Sequence, residues 1–152
     1  MNDLIKQLER LLLKEQDETN AFVDILEKEA DILVSGAEPE ALADITQTKW
    51  YRAHALNALF LERQALIATF PSRTDITAVS RVSIAIADAW NTLNARFQHA
   101  HDLNSRNGLM IEQLKKSTDD AMALLRSVRG QSDVYTATGR QASSSRRILA
   151  TP

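Results

Sequence analysis

From Val79 to Val128, apolar residues recur at alternating intervals of four and three positions, and no proline interrupts the run. This spacing is typical of one face of an α-helix. A helix from about Thr77 to Arg129 would be roughly 80 Å long at 1.5 Å per residue. Its apolar face needs other long helices to cover it, so this run predicts an all-α fold.

Turn and helix-breaking residues are concentrated at three places: residues 36–39, residues 71–75 and Gly130. They divide the chain into three long segments and a polar end. The sequence therefore predicts an antiparallel bundle of three long helices with a very long third helix and a flexible C-terminal tail. We expect residues 1–130 to form the bundle and residues 131–152 to form the tail.

The first segment carries an apolar stripe whose register passes through Glu15, Glu18 and Glu29, so acidic residues interrupt it. Gly36 is expected to end this helix, because glycine tolerates the left-handed conformation of a helix C-terminus. Pro39 suits the first turn of the second helix, where a missing N–H costs little. A side-chain oxygen of Thr74 or Asp75 is expected to cap the third.

The first two segments are each only about three-fifths as long as the third helix. Short connections make sequence neighbours antiparallel, so both segments should pack near the first half of the third helix. We therefore expect its second half, from about Leu109, to be partly uncovered. A break into two helices at Asn107-Gly108 is the alternative, but the apolar spacing continues across this pair and favours one helix.

Catalytic and metal-binding patterns are not evident. The chain has no cysteine, which removes thiolate chemistry and the common type of zinc site. His99 and His101 point in different directions on a helix, and His54 is isolated. We expect neither an enzyme nor a bound cofactor or metal. No run approaches the roughly 20 apolar residues of a membrane-spanning helix, and no signal peptide is visible, so a cytoplasmic protein is expected.

The net charge of −2 conceals an acidic first third and a mildly basic end that holds Arg140, Arg146 and Arg147. Arginines without interleaved aromatic residues are a weak indication of nucleic-acid binding. The acidic first third counts against it, and we expect no nucleic-acid partner.

The second half of the third helix is the best candidate for function, because it is apolar where its own partners are expected to be missing. An exposed helical stripe of this kind can take up the apolar face of a partner helix. It can equally be buried in a homodimer, and the residues alone leave both readings open. The candidate binding residues are Leu109, Met110, Ile111, Leu114, Ala121, Leu125 and Val128.

A specific pattern covers Leu103 to Arg140. It comprises Asn104, Asn107-Gly108-Leu109 and Ile111, an Ala/Leu-rich turn, Val134-Tyr135 and Thr138-Gly139-Arg140. This pattern resembles the C-terminal signature of FlgN-type flagellar export chaperones. One departure is Thr136, which stands where the family usually has glycine.

The resemblance implies a cytoplasmic, non-enzymatic chaperone of flagellar type III export. Such proteins bind the terminal helical segments of hook–filament junction proteins, prevent their premature assembly and deliver them to the export-gate membrane protein. It also implies that the second half of the third helix meets the client and that Tyr135 docks on the export gate. Asn104, Asn107 and Gly108 would then join a structural half to a client-binding half. A self-associating helical scaffold is the alternative function.

Overall fold

The computed structural model describes residues 2–36, 38–70, 76, 81 and 83–142, with side chains described as far as Gly130. All regular structure in these residues is helical, which confirms the predicted all-α fold of three long helices. The helices are α1 (Asn2–Val34), α2 (Pro39–Ala68) and α3 (Ile84–Ala142).

The connection between α1 and α2 follows the predicted pattern. Gly36 has a φ of 79°, the left-handed conformation in which a side chain is strained. Pro39 is the first residue of α2. The start of α3 differs from the prediction, because α3 begins at Ile84, where the Ser83 carbonyl accepts the Ala87 N–H at 3.0 Å. The predicted start and caps, at residues 74, 75 and 77, lie outside the described residues.

The helix α3 is continuous through Gly108, as the spacing predicted. Its end was predicted too early: α3 passes through Gly130 and ends at Ala142, so residues 131–142 of the predicted tail have a helical backbone. The physical reason is that an isolated glycine costs a helix only about 1 kcal/mol. Among the described glycines, only Gly36 adopts the positive φ that ends a helix. The rest of the predicted tail, residues 143–152, lies outside the described residues, and its flexibility stays a prediction.

By contact density the chain divides into two units, Met1–Met110 and Ile111–Pro152. Within the first unit, α2 runs antiparallel to α1, since Lys49 bonds to Glu29 whereas Arg63 bonds to Glu15. The start of α3 runs parallel to α1, because its residues 89 and 107 bond to residues 16 and 26 of α1 in the same order.

The interior of the first unit consists of two apolar clusters. The larger contains Leu8, Leu12, Ile67, Phe70, Ile76, Ile86 and Leu93. The smaller contains Val23, Leu26, Ala100 and Leu103. Along α1, the interval between them is filled by buried polar residues, Glu15 and Thr19. Along α1 the core therefore consists of an apolar layer, a polar layer and a second apolar layer.

Candidate functional site

A buried polar junction links the three helices near the end of the first unit. The Asn107 amide is fully buried and donates to the Leu26 carbonyl at 2.8 Å and to Glu29 Oε2 at 2.9 Å. Lys49 Nζ lies 3.0 Å from both carboxylate oxygens of the same Glu29. One carboxylate thus connects α2 to α3, while the bond to Leu26 holds α3 directly on α1.

A second buried ion pair lies deeper in the bundle. Arg63 Nε is 3.0 and 2.9 Å from the two carboxylate oxygens of Glu15, and both side chains are buried. The guanidinium also lies 4.8 Å from the ring centroid of Trp90 on α3, a cation–π distance. Burial raises the pKa of Glu15, and the charge and hydrogen bonds of Arg63 pull it back down. Because both charges are desolvated, each depends on the other.

These two ion pairs explain the acidic interruption of the α1 stripe. The sequence showed Glu15 and Glu29 at core positions but did not identify their partners. The spacing of these residues could have predicted the ion pairs, because Glu15 and Glu29 are two heptads apart, as are Lys49 and Arg63. In an antiparallel hairpin, equal spacing brings both pairs together. The third acidic position, Glu18, bonds to Arg52 in a partly exposed pair at 3.0 Å.

The structure separates the three signature residues at the middle of α3. Asn107 is buried in the junction just described, whereas Asn104 and Gly108 are exposed. A Cβ atom added to Gly108 would have no heavy atom within 4 Å. Neither a turn nor a close approach therefore requires this glycine in the described structure.

The candidate binding residues of the second half of α3 are largely exposed. Leu109, Leu114, Ala121, Leu125 and Val128 are exposed, with 65% of Leu125 accessible, while Met110 and Ile111 are half-buried. Met122 and Leu124 lie in the same region and are also exposed. Every described residue from 112 to 130 is exposed. This length of apolar helix surface is unusual for an isolated chain.

The exposed residues continue the spacing of the buried ones. Ile86, Leu93, Ala100 and Asn107 are buried at intervals of one heptad. Leu114, Ala121 and Val128 occupy the next three positions of the same series, and all three are exposed. One helix therefore carries a repeat whose first part is buried and whose second part is exposed. We call Leu114, Ala121, Leu125 and Val128 the α3 stripe.

Other kinds of site receive no support within the described part of the chain. No group of three or more metal-ligating side chains comes together there. None of its helices combines the length and apolarity required to span a membrane. Tyr135 falls within the helical backbone of α3, but its side chain lies outside the described residues.

The described part of the chain is thus an all-α bundle whose three helices are joined by buried polar contacts and whose third helix carries a long exposed apolar stripe. A family model described as FlgN protein matches residues 1–143, and the chain belongs to this family of flagellar export chaperones. The family is one of chaperones and not of enzymes. Comparison with curated proteins and with solved structures gave no match.

Proposed function

We propose that this chaperone binds the terminal helical segments of hook–filament junction proteins through the α3 stripe. In this way it prevents their premature assembly in the cytoplasm and delivers them to the export-gate membrane protein, with Tyr135 as the docking residue. The observation that carries the proposal is the exposed continuation of a buried heptad series, since a client helix can pack there as α1 packs on the earlier repeats.

The α3 stripe suits an amphipathic helix better than a compact partner. Its apolar residues follow one line along α3, and the exposed Met122 beside them is flexible enough to adapt to irregular side chains. The family resemblance implies that the terminal segments of junction proteins are helical and aggregation-prone before assembly, so covering their apolar faces is the chaperone activity that we assign to this surface.

The test is the binding of a junction-protein C-terminal peptide to the full chain by calorimetry. We expect Leu114→Asp/Leu125→Asp to weaken binding at least about tenfold, because two charges would be buried against the apolar face of the client. Ala123→Asp/Ser127→Asp is the matched control. It adds the same two charges at exposed positions on the opposite side of α3 and should bind like wild type.

Circular dichroism of both variants establishes whether they remain helical. Full-strength binding by a helical Leu114→Asp/Leu125→Asp variant would reject the α3 stripe as the client site. The scaffold alternative predicts instead that the α3 stripe is buried in a homodimer. In that case these substitutions would halve the mass in solution, and the junction-protein peptide would not bind to wild type.

A further inference from the structure

The face that α2 turns towards α1 recurs on the second half of α3. The helix α2 packs on α1, and six of its residues between positions 45 and 63 are at least partly buried. They are Ile45, Lys49, Ala55, Leu56, Leu59 and Arg63. The residues sixty-six positions later, on α3, are Ile111, Lys115, Ala121, Met122, Leu125 and Arg129. Five of the six are identical and the sixth replaces leucine by methionine, so we call these α3 residues the repeated face.

The likeness between the two segments is confined to this face. Of the thirteen exposed residues of α2 in the same interval, only Gln47 recurs, as Gln113. The other charged residues of α3 in this interval correspond to exposed positions of α2, so none belongs to the repeated face. They are Glu112, Lys116, Asp119, Asp120 and Arg126. What the two segments share is therefore the one helix side that packs against a neighbour in α2.

The contacts of α1 show which chemistry this face binds. Lys49 Nζ lies 3.0 Å from a carboxylate oxygen of Glu29, and Arg63 Nε lies 2.9 Å from one of Glu15. The two carboxylates are fourteen positions apart, as are the two cations, which is about 21 Å along a helix. Because α1 and α2 are antiparallel, the later cation meets the earlier carboxylate.

On α3 the repeated face is open. Its residues from Lys115 to Arg129 are all exposed. Among the described side chains, no carboxylate forms an ion pair with either of these two cations. The repeated face thus offers apolar side chains at its centre and a cation at each end, about 21 Å apart.

We propose that the client helix carries the pattern of α1 and lies antiparallel to α3. It has two acidic residues fourteen positions apart, and apolar residues between them. The earlier acidic residue meets Arg129 and the later one meets Lys115, while Ala121, Met122 and Leu125 contact the apolar residues. This inference rests on the proposed function and specifies the client, since complementary charges fix the register and direction of a partner.

The repeated face overlaps the α3 stripe at Ala121 and Leu125. The other two stripe residues, Leu114 and Val128, lie beside the repeated face, at positions where α2 is polar. The client helix therefore meets a wider apolar surface on α3 than α1 meets on α2. Apolar contact supplies the affinity, and the two cations select the register.

The test is calorimetry of the full chain with the junction-protein C-terminal peptide. Lys115→Glu/Arg129→Glu should weaken binding at least about tenfold, because two attractive pairs become repulsive. Arg106→Glu/Lys116→Glu is the matched control. It makes the same change of charge at exposed positions on the opposite side of α3 and should bind within about twofold of wild type. Circular dichroism checks that both variants remain helical.

The decisive samples combine one reversed charge on each partner. A peptide whose later acidic residue is replaced by lysine should bind Lys115→Glu at least about threefold more tightly than it binds wild type. A peptide whose earlier acidic residue is replaced should do the same with Arg129→Glu. Rescue in the crossed combinations would show a parallel client and overturn the proposal. So would a peptide that binds without such an acidic pair, or one that binds Lys115→Glu/Arg129→Glu at full strength.

Failure of this inference can be told apart from failure of the proposed function. If the peptide does not bind to wild type, the proposed function is rejected and this inference with it. If Leu114→Asp/Leu125→Asp weakens binding and Lys115→Glu/Arg129→Glu does not, the α3 stripe is the client site and the pattern of α1 is not what the client carries.

Discussion

Asn107 shows how a residue of the family signature can have a structural role. Its amide donates two hydrogen bonds to α1, and its Oδ1 is buried without a hydrogen-bond partner in the described structure. An apolar residue at this position would fill the layer but leave Glu29 with Lys49 alone. Asparagine therefore specifies which residues of α1 and α3 come together, a role known for buried polar residues in helical seams.

Asn107→Asp should destabilise the first unit by about 3 kcal/mol or more. The substitution replaces an amide donor by a carboxylate, 2.9 Å from an oxygen of Glu29, and both positions are buried, so bulk solvent screens the two charges only weakly. The measurement is urea-induced unfolding followed by circular dichroism. Asn104→Asp, an exposed change on the same helix, should cost under about 0.5 kcal/mol. Equal costs would show that the junction does not determine stability.

The pair Glu15–Arg63 makes a prediction about pH. Arg63→Met should lower the free energy of unfolding by about 3 kcal/mol at neutral pH, because it leaves a buried carboxylate without its cation. Arg52→Met breaks a partly exposed pair with Glu18 and should cost under about 1 kcal/mol.

The penalty of Arg63→Met should shrink in acid. Burial raises the folded pKa of Glu15 above its unfolded value, so its contribution to the free energy of unfolding is greatest below the unfolded pKa. That contribution declines as the pH rises through the folded pKa. Removing Arg63 removes the charge and hydrogen bonds that lower the folded pKa of Glu15. The folded pKa then rises further, so the pH range over which the protonated carboxyl stabilises the fold becomes wider. Urea unfolding at about pH 7 and about pH 4.5 measures the change, and a constant penalty would contradict it.

The helix α3 lies in two environments, buried in its first part and exposed in its second. The repeat of Ile86, Leu93 and Ala100 is buried, whereas that of Leu114, Ala121 and Val128 is exposed. Local propensity does not distinguish the two parts, since both carry the same apolar period. The two parts differ only in whether other helices pack against them. The boundary between the buried and the exposed repeats therefore cannot be located from periodicity alone.

Gly108 and Gly36 should respond to alanine with opposite signs. Gly108→Ala should stabilise the chain by up to about 1 kcal/mol, because alanine is the better helix former and its Cβ meets nothing within 4 Å. Gly36→Ala should destabilise by about 1 kcal/mol, because an L-residue is strained at positive φ. Thermal unfolding of both variants provides the comparison. A destabilised Gly108→Ala variant would show that the helix needs a flexible point at the signature.

The family model matches a much longer part of the chain than the signature that first suggested the family. The signature was recognisable from Leu103 to Arg140, while the family model matches residues 1–143. The earlier part resembles any long amphipathic helix pair, because many side chains satisfy an apolar position. Within it, the spacing of Glu15, Glu29, Lys49 and Arg63 carries specific information, and it becomes readable only when α1 and α2 are laid antiparallel.

The class of fold, the number of helices, the turn at Gly36 and Pro39, and the continuity of α3 through Gly108 could all be predicted from the sequence alone. These properties follow from apolar period and backbone preference, which act over a few residues. Only the folded structure shows which residues are buried, with Asn107 in the interior and with Glu15 and Glu29 each paired with a cation. It also extended α3 beyond Gly130. Burial depends on residues brought together from distant parts of the chain, and no local pattern records those neighbours.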